Sequence, residues 1–248
     1  MTQGASLHFT PANWAAPQVV HVTSTYNSSM SDQIATVSVS APGLAAEDVI
    51  VRATSSSTIP LAPPANLLAT ATSATSIALS WEASAGATEY DVERKSAGTD
   101  FQRVTSVTAL AYSDTVSASS AHVYRLKARN ATGASAYSNL DLATTVSFTN
   151  DPLVPQTTTI AASHATELRA AVNAVLLAAG FGLQGWTDPS IEAGATPVRR
   201  AHVAELRDAL ARAFSALGLT PPTWTDAGLP VGTPIRAVHF QELRDAVK

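Results

Sequence analysis

The sequence contains no cysteine, which removes disulfides, thiolate nucleophiles and thiolate metal sites together. Charge is also scarce. Asp, Glu, Lys and Arg make up 14% of the 248 residues, against about a quarter in ordinary soluble domains. The net charge is −4, so no basic surface is available to hold nucleic acid by its phosphates. No apolar run approaches the ~18 residues that a membrane span needs. Met1 to Ser6 form neither a charged n-region nor an apolar h-region, so no signal peptide is visible. A Gly-rich phosphate loop, Gly-x-Ser-x-Gly and His-Glu-x-x-His are all missing. What abounds is alanine, with 47 residues. The large apolar side chains that remain suffice for several small cores rather than one large one.

Three textures follow one another. Residues 1–54 alternate in the manner of strands, at Gln18-Val19-Val20-His21-Val22-Thr23, Ile34 to Ser40 and Asp48 to Arg52. Residues 55–64, rich in Ser and Pro, read as a linker. From 65 to 147 alternation returns. Ile77, Leu79 and Trp81 share one face, Tyr90 and Val92 another, and Tyr124 and Leu126 a third. About seven strands over this length predict a β-sandwich.

Residues 148–248 hold an internal repeat. Phe148-Thr149-Asn150, Trp186-Thr187-Asp188 and Trp224-Thr225-Asp226 recur at spacings of 38 residues. Each is followed by a threonine (Thr158, Thr196, Thr233), a histidine (His164, His202, His239) and then Glu-Leu-Arg, beginning at Glu167, Glu205 and Glu242. The pattern predicts three helices, each with a threonine N-cap, with Pro197 and Pro234 at the first helical position and Gly180 and Gly218 closing the C-termini. Val198, His202, Leu206, Leu210 and Phe214 form one stripe. A stripe of that kind cannot be buried by one helix alone, so a three-helix bundle is expected, its ends plugged by the aromatic loop residues. The expected fold class is thus multi-domain β plus α: a partial antiparallel sandwich (1–54), a linker (55–64), a second sandwich (65–147) and a helical repeat module (148–248).

Pro64, Leu67, Trp81, Tyr90 and Tyr124-Arg125-Leu126-Lys127-Ala128-Arg129-Asn130, with Gly133 and Ser138 after them, resemble a fibronectin type III domain. The resemblance implies a seven-stranded sandwich used as a spacer or binding module. The Arg-Gly-Asp loop of integrin-binding members is replaced here by Asn130-Ala131-Thr132-Gly133. Leu7 to Trp14 and Pro17 to Val22 are similar to the second half of a Calx-beta-like sandwich. The acidic calcium ligands of that family are missing, since only Asp32, Glu47 and Asp48 are acidic in residues 1–54. The repeat resembles a C-terminal module of large secreted bacterial proteins and, more loosely at Val198 to His202, S-layer homology repeats.

His164, His202 and His239 each stand three residues before Glu167, Glu205 and Glu242. That spacing places histidine and carboxylate on one helix face, as metal-binding bundles do. The competing reading is a packing solution copied with its unit, with each histidine on the core stripe, and it is preferred. Asp188 and Asp226 read as turn caps, Trp14 and Trp81 as sandwich core. Glutamate and arginine two residues apart do not share a face, so the arginine of one unit is expected to meet the glutamate of the next. Trp186 and Trp224 are the candidates for contact with a glycan. No catalytic residue and no cofactor is assigned. The reading is a non-catalytic extracellular or cell-surface protein for spacing and adhesion, with its secretion signal upstream of Met1. It would self-assemble, or join other surface proteins, through the strand edges of an incomplete first sandwich. The alternative is a polysaccharide-binding accessory region of a secreted carbohydrate-active enzyme; a metal-dependent hydrolase built on the histidines is the third reading.

Overall fold

The computed structural model describes residues 33–39, 45–53 and 61–248, together with Thr10, Ala12, Ala15 and Gly43. The strand expected at 18–23 and the core role expected of Trp14 lie outside the described residues. The chain divides into two compact units, residues 1–59 and 60–248.

In the first unit, β1 (Gln33–Val39) and β2 (Glu47–Ala53) pair antiparallel with Val37 opposite Val49 and no register shift. β-Branched residues on a pleated surface favour this pairing. Val49 and Ile50 are exposed at 55% and 65%.

The second unit has the β-sandwich and C-terminal helical part that the sequence predicts. One sheet orders β3 (Ala65–Ser73), β4 (Ser76–Glu82) and β7 (Ala111–Thr115). The other orders β10 (Asp141–Thr144), β8 (Ala121–Asn130), β5 (Glu89–Lys95) and β6 (Gln102–Val107), with β9 (Gly133–Tyr137) also on β8. β9 and β10 pair with successive stretches of β8, so they are two halves of one seventh strand, broken at 138–140. The break has a use. Asn139 accepts from the Leu67 N–H and donates to the Leu67 carbonyl, both at 2.9 Å, and Asp141 accepts from the Ala69 N–H at 2.6 Å. These side chains lace β3 to the opposite sheet where no backbone ladder can reach. Burial pushes the Asp141 carboxyl above its usual range, against the pull of its amide donors.

Alternation fills the space between the sheets with Leu67, Ile77, Leu79, Trp81, Tyr90, Val92, Tyr124 and Leu126. Trp81 meets Tyr90 edge-on at 5.6 Å. Of the stretch read as a linker, Leu61 packs against this core and Pro64 is buried, so the sandwich takes up its C-terminal end. The outer face of β8 carries a cross-strand ion-pair ladder, with Glu89 opposite Arg129, Asp91 opposite Lys127 and Glu93 opposite Arg125. Arg125 lies between the rings of Phe101 and Tyr137, 4.0 and 3.7 Å from their centroids.

Further along that outer face the charges give way to Ala121, Val123 and, on β10, Leu142. Helices α1 (Ala162–Ala178), α2 (Arg200–Leu217) and α3 (Ala237–Asp245) share one continuous apolar core with these three residues. The sandwich and the helices are therefore joined by packing rather than by a loose tether. Buried Ala165, Ala171, Ala174, Ala178, Ala209 and Ala213 let the helices approach closely. Of the predicted stripe, His202, Leu206, Leu210 and Phe214 are buried, whereas Val198 precedes α2 and is exposed.

Truncating Leu168→Ala, in the middle of the shared core and fully buried, is expected to cost about 2–5 kcal/mol in denaturant unfolding. Because the core is continuous, sandwich and helices should lose structure in one transition when followed by near-UV and far-UV circular dichroism.

Candidate functional site

The repeated residues converge in a ring built from the three helices and the three aromatic loops. Each loop begins with the aromatic residue and threonine, then turns through a left-handed residue: Asn150, Asp188 and Asp226 have φ of 54°, 52° and 50°. Asn and Asp tolerate that conformation better than other residues with a β-carbon, which explains the residue type at this phase of the repeat.

Each helix then binds the loop of its own unit through its glutamate. Glu167 accepts from the Thr149 N–H at 2.9 Å and from its hydroxyl. Glu205 takes the Thr187 N–H at 3.1 Å and its hydroxyl, and Glu242 takes the Thr225 N–H at 3.0 Å. The arginine two residues on binds the loop of the next unit. Arg169 donates to the carbonyls of Thr187 and Asp188 at 2.6 and 2.8 Å. Arg207 donates to those of Thr225 and Asp226 at 2.9 and 3.2 Å. Arg244, in the last helix, donates to the carbonyl of Asn150, in the first loop, at 3.2 Å.

The cycle is closed. The expected pairing of each arginine with the next unit's glutamate is seen for Arg207 with Glu242 (3.3 Å) and for Arg244 with Glu167 (3.2 Å). Arg169 feels the charge of Glu205. Each guanidinium also lies over the aromatic residue of the loop it binds, 5.4 Å from Trp186, 5.0 Å from Trp224 and 5.0 Å from Phe148. All three arginines are buried, Arg244 completely. Burial pulls each guanidinium below its ordinary range, and the facing carboxylates oppose it.

The threonine caps expected at the helix starts are replaced by another device. Helices start later than predicted, with Ala161, Arg199 and Arg236 as N-caps. Thr158 and Thr196 instead close the preceding turn, accepting from the N–H of Val154 and Glu192 at 3.0 Å. The capping group is the histidine. Nδ1 of His164, His202 and His239 accepts from the N-cap N–H at 3.1, 3.3 and 3.3 Å. That is the position from which Glu or Gln reaches back in a capping box. An Nδ1 that accepts leaves its proton on Nε2. In His202 and His239 that nitrogen meets Asp188 and Asp226, at 3.0 and 3.1 Å. The same aspartates pair with Arg199 and Arg236.

Histidine and glutamate three residues apart therefore face different partners, at three separate helix ends. Among the described residues no three His, Asp or Glu side chains gather to hold a metal ion. Trp186 and Trp224 are half-buried, pack on the shared core and carry an arginine over the ring. The aspartates' role as histidine partners is the part of the site that residue spacing left unread. Its signal was there: Asn150, Asp188 and Asp226 precede their histidines by 14, 14 and 13 residues.

Two substitutions separate these roles. His239→Gln keeps an acceptor at the capping position and should cost under about 1 kcal/mol, whereas His239→Phe should cost about 1–2 kcal/mol. Arg207→Ala removes one partner of a buried network and should cost about 3–5 kcal/mol in chemical denaturation.

Comparison with known proteins finds a likeness over part of the chain. No family model and no curated protein matches the chain. Among solved structures, a Fn3-like protein from Clostridium thermocellum is 26% identical, over 33% of this chain and 90% of that one, with a TM-score of 0.31. The 6th fibronectin type III domain from human fibronectin type III domain containing protein 3 is 24% identical, over 37% of this chain and 89% of that one, at 0.30. Domains A168-A170 from titin are 22% identical, over 40% of this chain, at 0.33, and the chain spans 36% of their length. Over about a third of its length, then, the chain is similar to fibronectin type III domains.

Proposed function

We propose that the chain is a non-catalytic structural and adhesive protein of the cell exterior, in which the sandwich and the helical module act together as a stiff spacer and attachment unit. The observation that carries this reading is the apolar core common to β8, β10 and the three helices. A joint of that kind transmits load from one module to the next, which a flexible linker does not. The side chains that suggested chemistry in the sequence support it further. The histidines, glutamates and arginines of the repeat are committed to one another and to backbone groups inside the ring. The structural reading is favoured over glycan binding because the indoles of Trp186 and Trp224 are engaged by Arg169 and Arg207 and by the core. No helix among the described residues is long and apolar enough to cross a membrane.

Co-sedimentation of the full chain with isolated bacterial envelope fragments tests the attachment role. Saturable pelleting is the expected result, and a chain that stays in the supernatant at every fragment concentration rejects it. A glycan array read alongside tests the alternative, which predicts binding that Trp186→Ala or Trp224→Ala abolishes while the fold is kept.

Self-assembly through the first unit is supported by the two-stranded sheet among its described residues. Such a sheet is marginal by itself, and Val49 and Ile50 lie exposed on it. Strands from a second copy would extend it at its edges. Light scattering on the full chain should show mass rising with concentration. A constant monomer mass up to the millimolar range excludes assembly by this route.

A further inference from the structure

The end of β5, the turn from β7 to β8 and helix α1 line a cavity of about 240 Å³. Ser96 follows β5, Ser117, Ser119 and Ser120 belong to the turn, and Ala174 and Leu177 come from α1. Sandwich and helical module thus both supply its wall. Among the described residues no charged side chain lines it. The turn is braced from within. The Ser117 carbonyl accepts from the hydroxyls of Ser120 and Thr145, at 2.5 and 2.8 Å, and Thr145 Oγ1 accepts from the Ser120 N–H at 3.1 Å. Ser119 holds a left-handed φ of 51°. A glycine fits there without strain, so a serine keeps a hydroxyl at the cavity against the preference of its backbone.

The direction of each hydrogen bond decides what the cavity can hold. The Ser120 hydroxyl gives its proton to the Ser117 carbonyl, so it accepts from Nε2–H of His122 at 2.8 Å. Nδ1 of that ring is then the acceptor for the Ser96 hydroxyl, also at 2.8 Å. The protons of Ser96 and Ser120 are therefore committed, and what these oxygens still offer is lone pairs. A carboxylate or phosphate brings only acceptors and would meet no cation among the lining residues. An ammonium group would meet no carboxylate. A neutral group with several hydroxyls fits. It can donate to Ser96 and Ser120, and it can both give to and take from the exposed hydroxyls of Ser117 and Ser119. Ala97, Ala174 and Leu177 add an apolar wall for its C–H groups. Sites for drug-sized ligands begin at about 300 Å³, so this smaller cavity suits one ring rather than a chain of them.

We propose that this cavity binds a single uncharged sugar ring, and that the bound sugar bridges the sandwich to α1. Hydroxyls fixed by the braced turn and by His122 lose little freedom when the ligand arrives. The cavity exists in this form only while α1 lies on the sheet, so by mass action the ligand also stabilises that joint. Neither Trp186 nor Trp224 lines the cavity, so the site is distinct from any glycan contact at those indoles. It does not rest on the attachment role proposed above, and either can fail without the other.

Titration of the full chain with D-glucose, D-galactose, D-mannose and N-acetyl-D-glucosamine, followed by amide NMR, tests the site. At least one sugar should give saturable shifts at Ser96, Ser119 and Ala174, with a Kd of about 1–10 mM for so small a ligand. Ser119→Gly suits the left-handed backbone and removes one hydroxyl, so it should weaken binding by about 2–10-fold. Ala97→Phe places a ring in the cavity from an exposed turn position and should abolish binding, with the circular dichroism of the wild type retained. Three results overturn the proposal: no saturable shift with any of these sugars, shifts confined to the loops of Trp186 and Trp224, or wild-type affinity in both variants.

Discussion

A guanidinium group without water is the constraint around which the helical module is organised. Arg169, Arg207 and Arg244 are each almost wholly buried, and removing an ion from water is tolerated only where most of its hydrogen-bonding capacity is met; Nε of Arg207 and of Arg244 is left without a partner among the described residues. The carbonyls that meet it belong to the next loop in the cycle, and a left-handed residue in that loop turns them inward. The same loop delivers its threonine to a glutamate one helix on. Every arginine thus depends on a neighbouring unit, and no unit satisfies itself. The third arginine could not be buried in a linear array of three unless a fourth loop followed; here the first loop takes that place. Ring closure is the answer to a desolvation problem, and here the third arginine meets the first loop.

The same economy of charge shapes the sandwich. Its outer face is divided between an ion-pair ladder on the central stretch of β8 and β5 and a small apolar patch near the start of β8. The ladder keeps water on one part of the sheet, and the patch, covered by the helices, excludes it from the other. Alanine serves both sides of this junction. Ala121 on the strand and Ala171, Ala174 and Ala178 on α1 are all buried, and their small volume brings helix and sheet into contact without large side chains. A composition that looks poor in core-forming residues is suited to close approach between elements.

Much of this architecture can be read from residue order. Strand alternation around Trp81, Tyr90 and Tyr124 locates the sandwich, because a period of two has one physical cause. The repeat of 38 residues locates the helices and the pairing of arginine with the next glutamate. The helix starts resist such reading. Threonine before proline is a strong capping signal, yet the histidine three residues inside each helix takes over the N-cap N–H, and the threonine is left to close a turn. The role of Asp188 and Asp226 was hidden because it depends on a positive φ, which brings residues 14 and 13 positions apart into contact. The docking of α1 was hidden for a different reason. Ala121, Val123 and Leu142 alternate like any outward-facing residues, and nothing local says that a helix will cover them.

The first unit of the ring departs from the other two at several phases, among them Phe148 for tryptophan, Asn150 for aspartate, Thr159 for proline and Ala161 for arginine. Asn150 keeps the left-handed turn and its carbonyl still receives Arg244, so the backbone role survives while the charged clamp of Asp with His and Arg is lost. The unit that lacks the clamp is also the one whose helix meets the sheet most extensively. In the second and third units the clamp fixes each loop to its helix start from the solvent side, where Arg199 and Arg236 remain about half exposed. In the first unit, apolar contact with β8 and β10 holds the helix instead. Exchanging an exposed ion-pair network for buried apolar area replaces a weak, salt-screened interaction with a stronger one. It also leaves His164 without the aspartate that meets the corresponding nitrogen of His202 and His239.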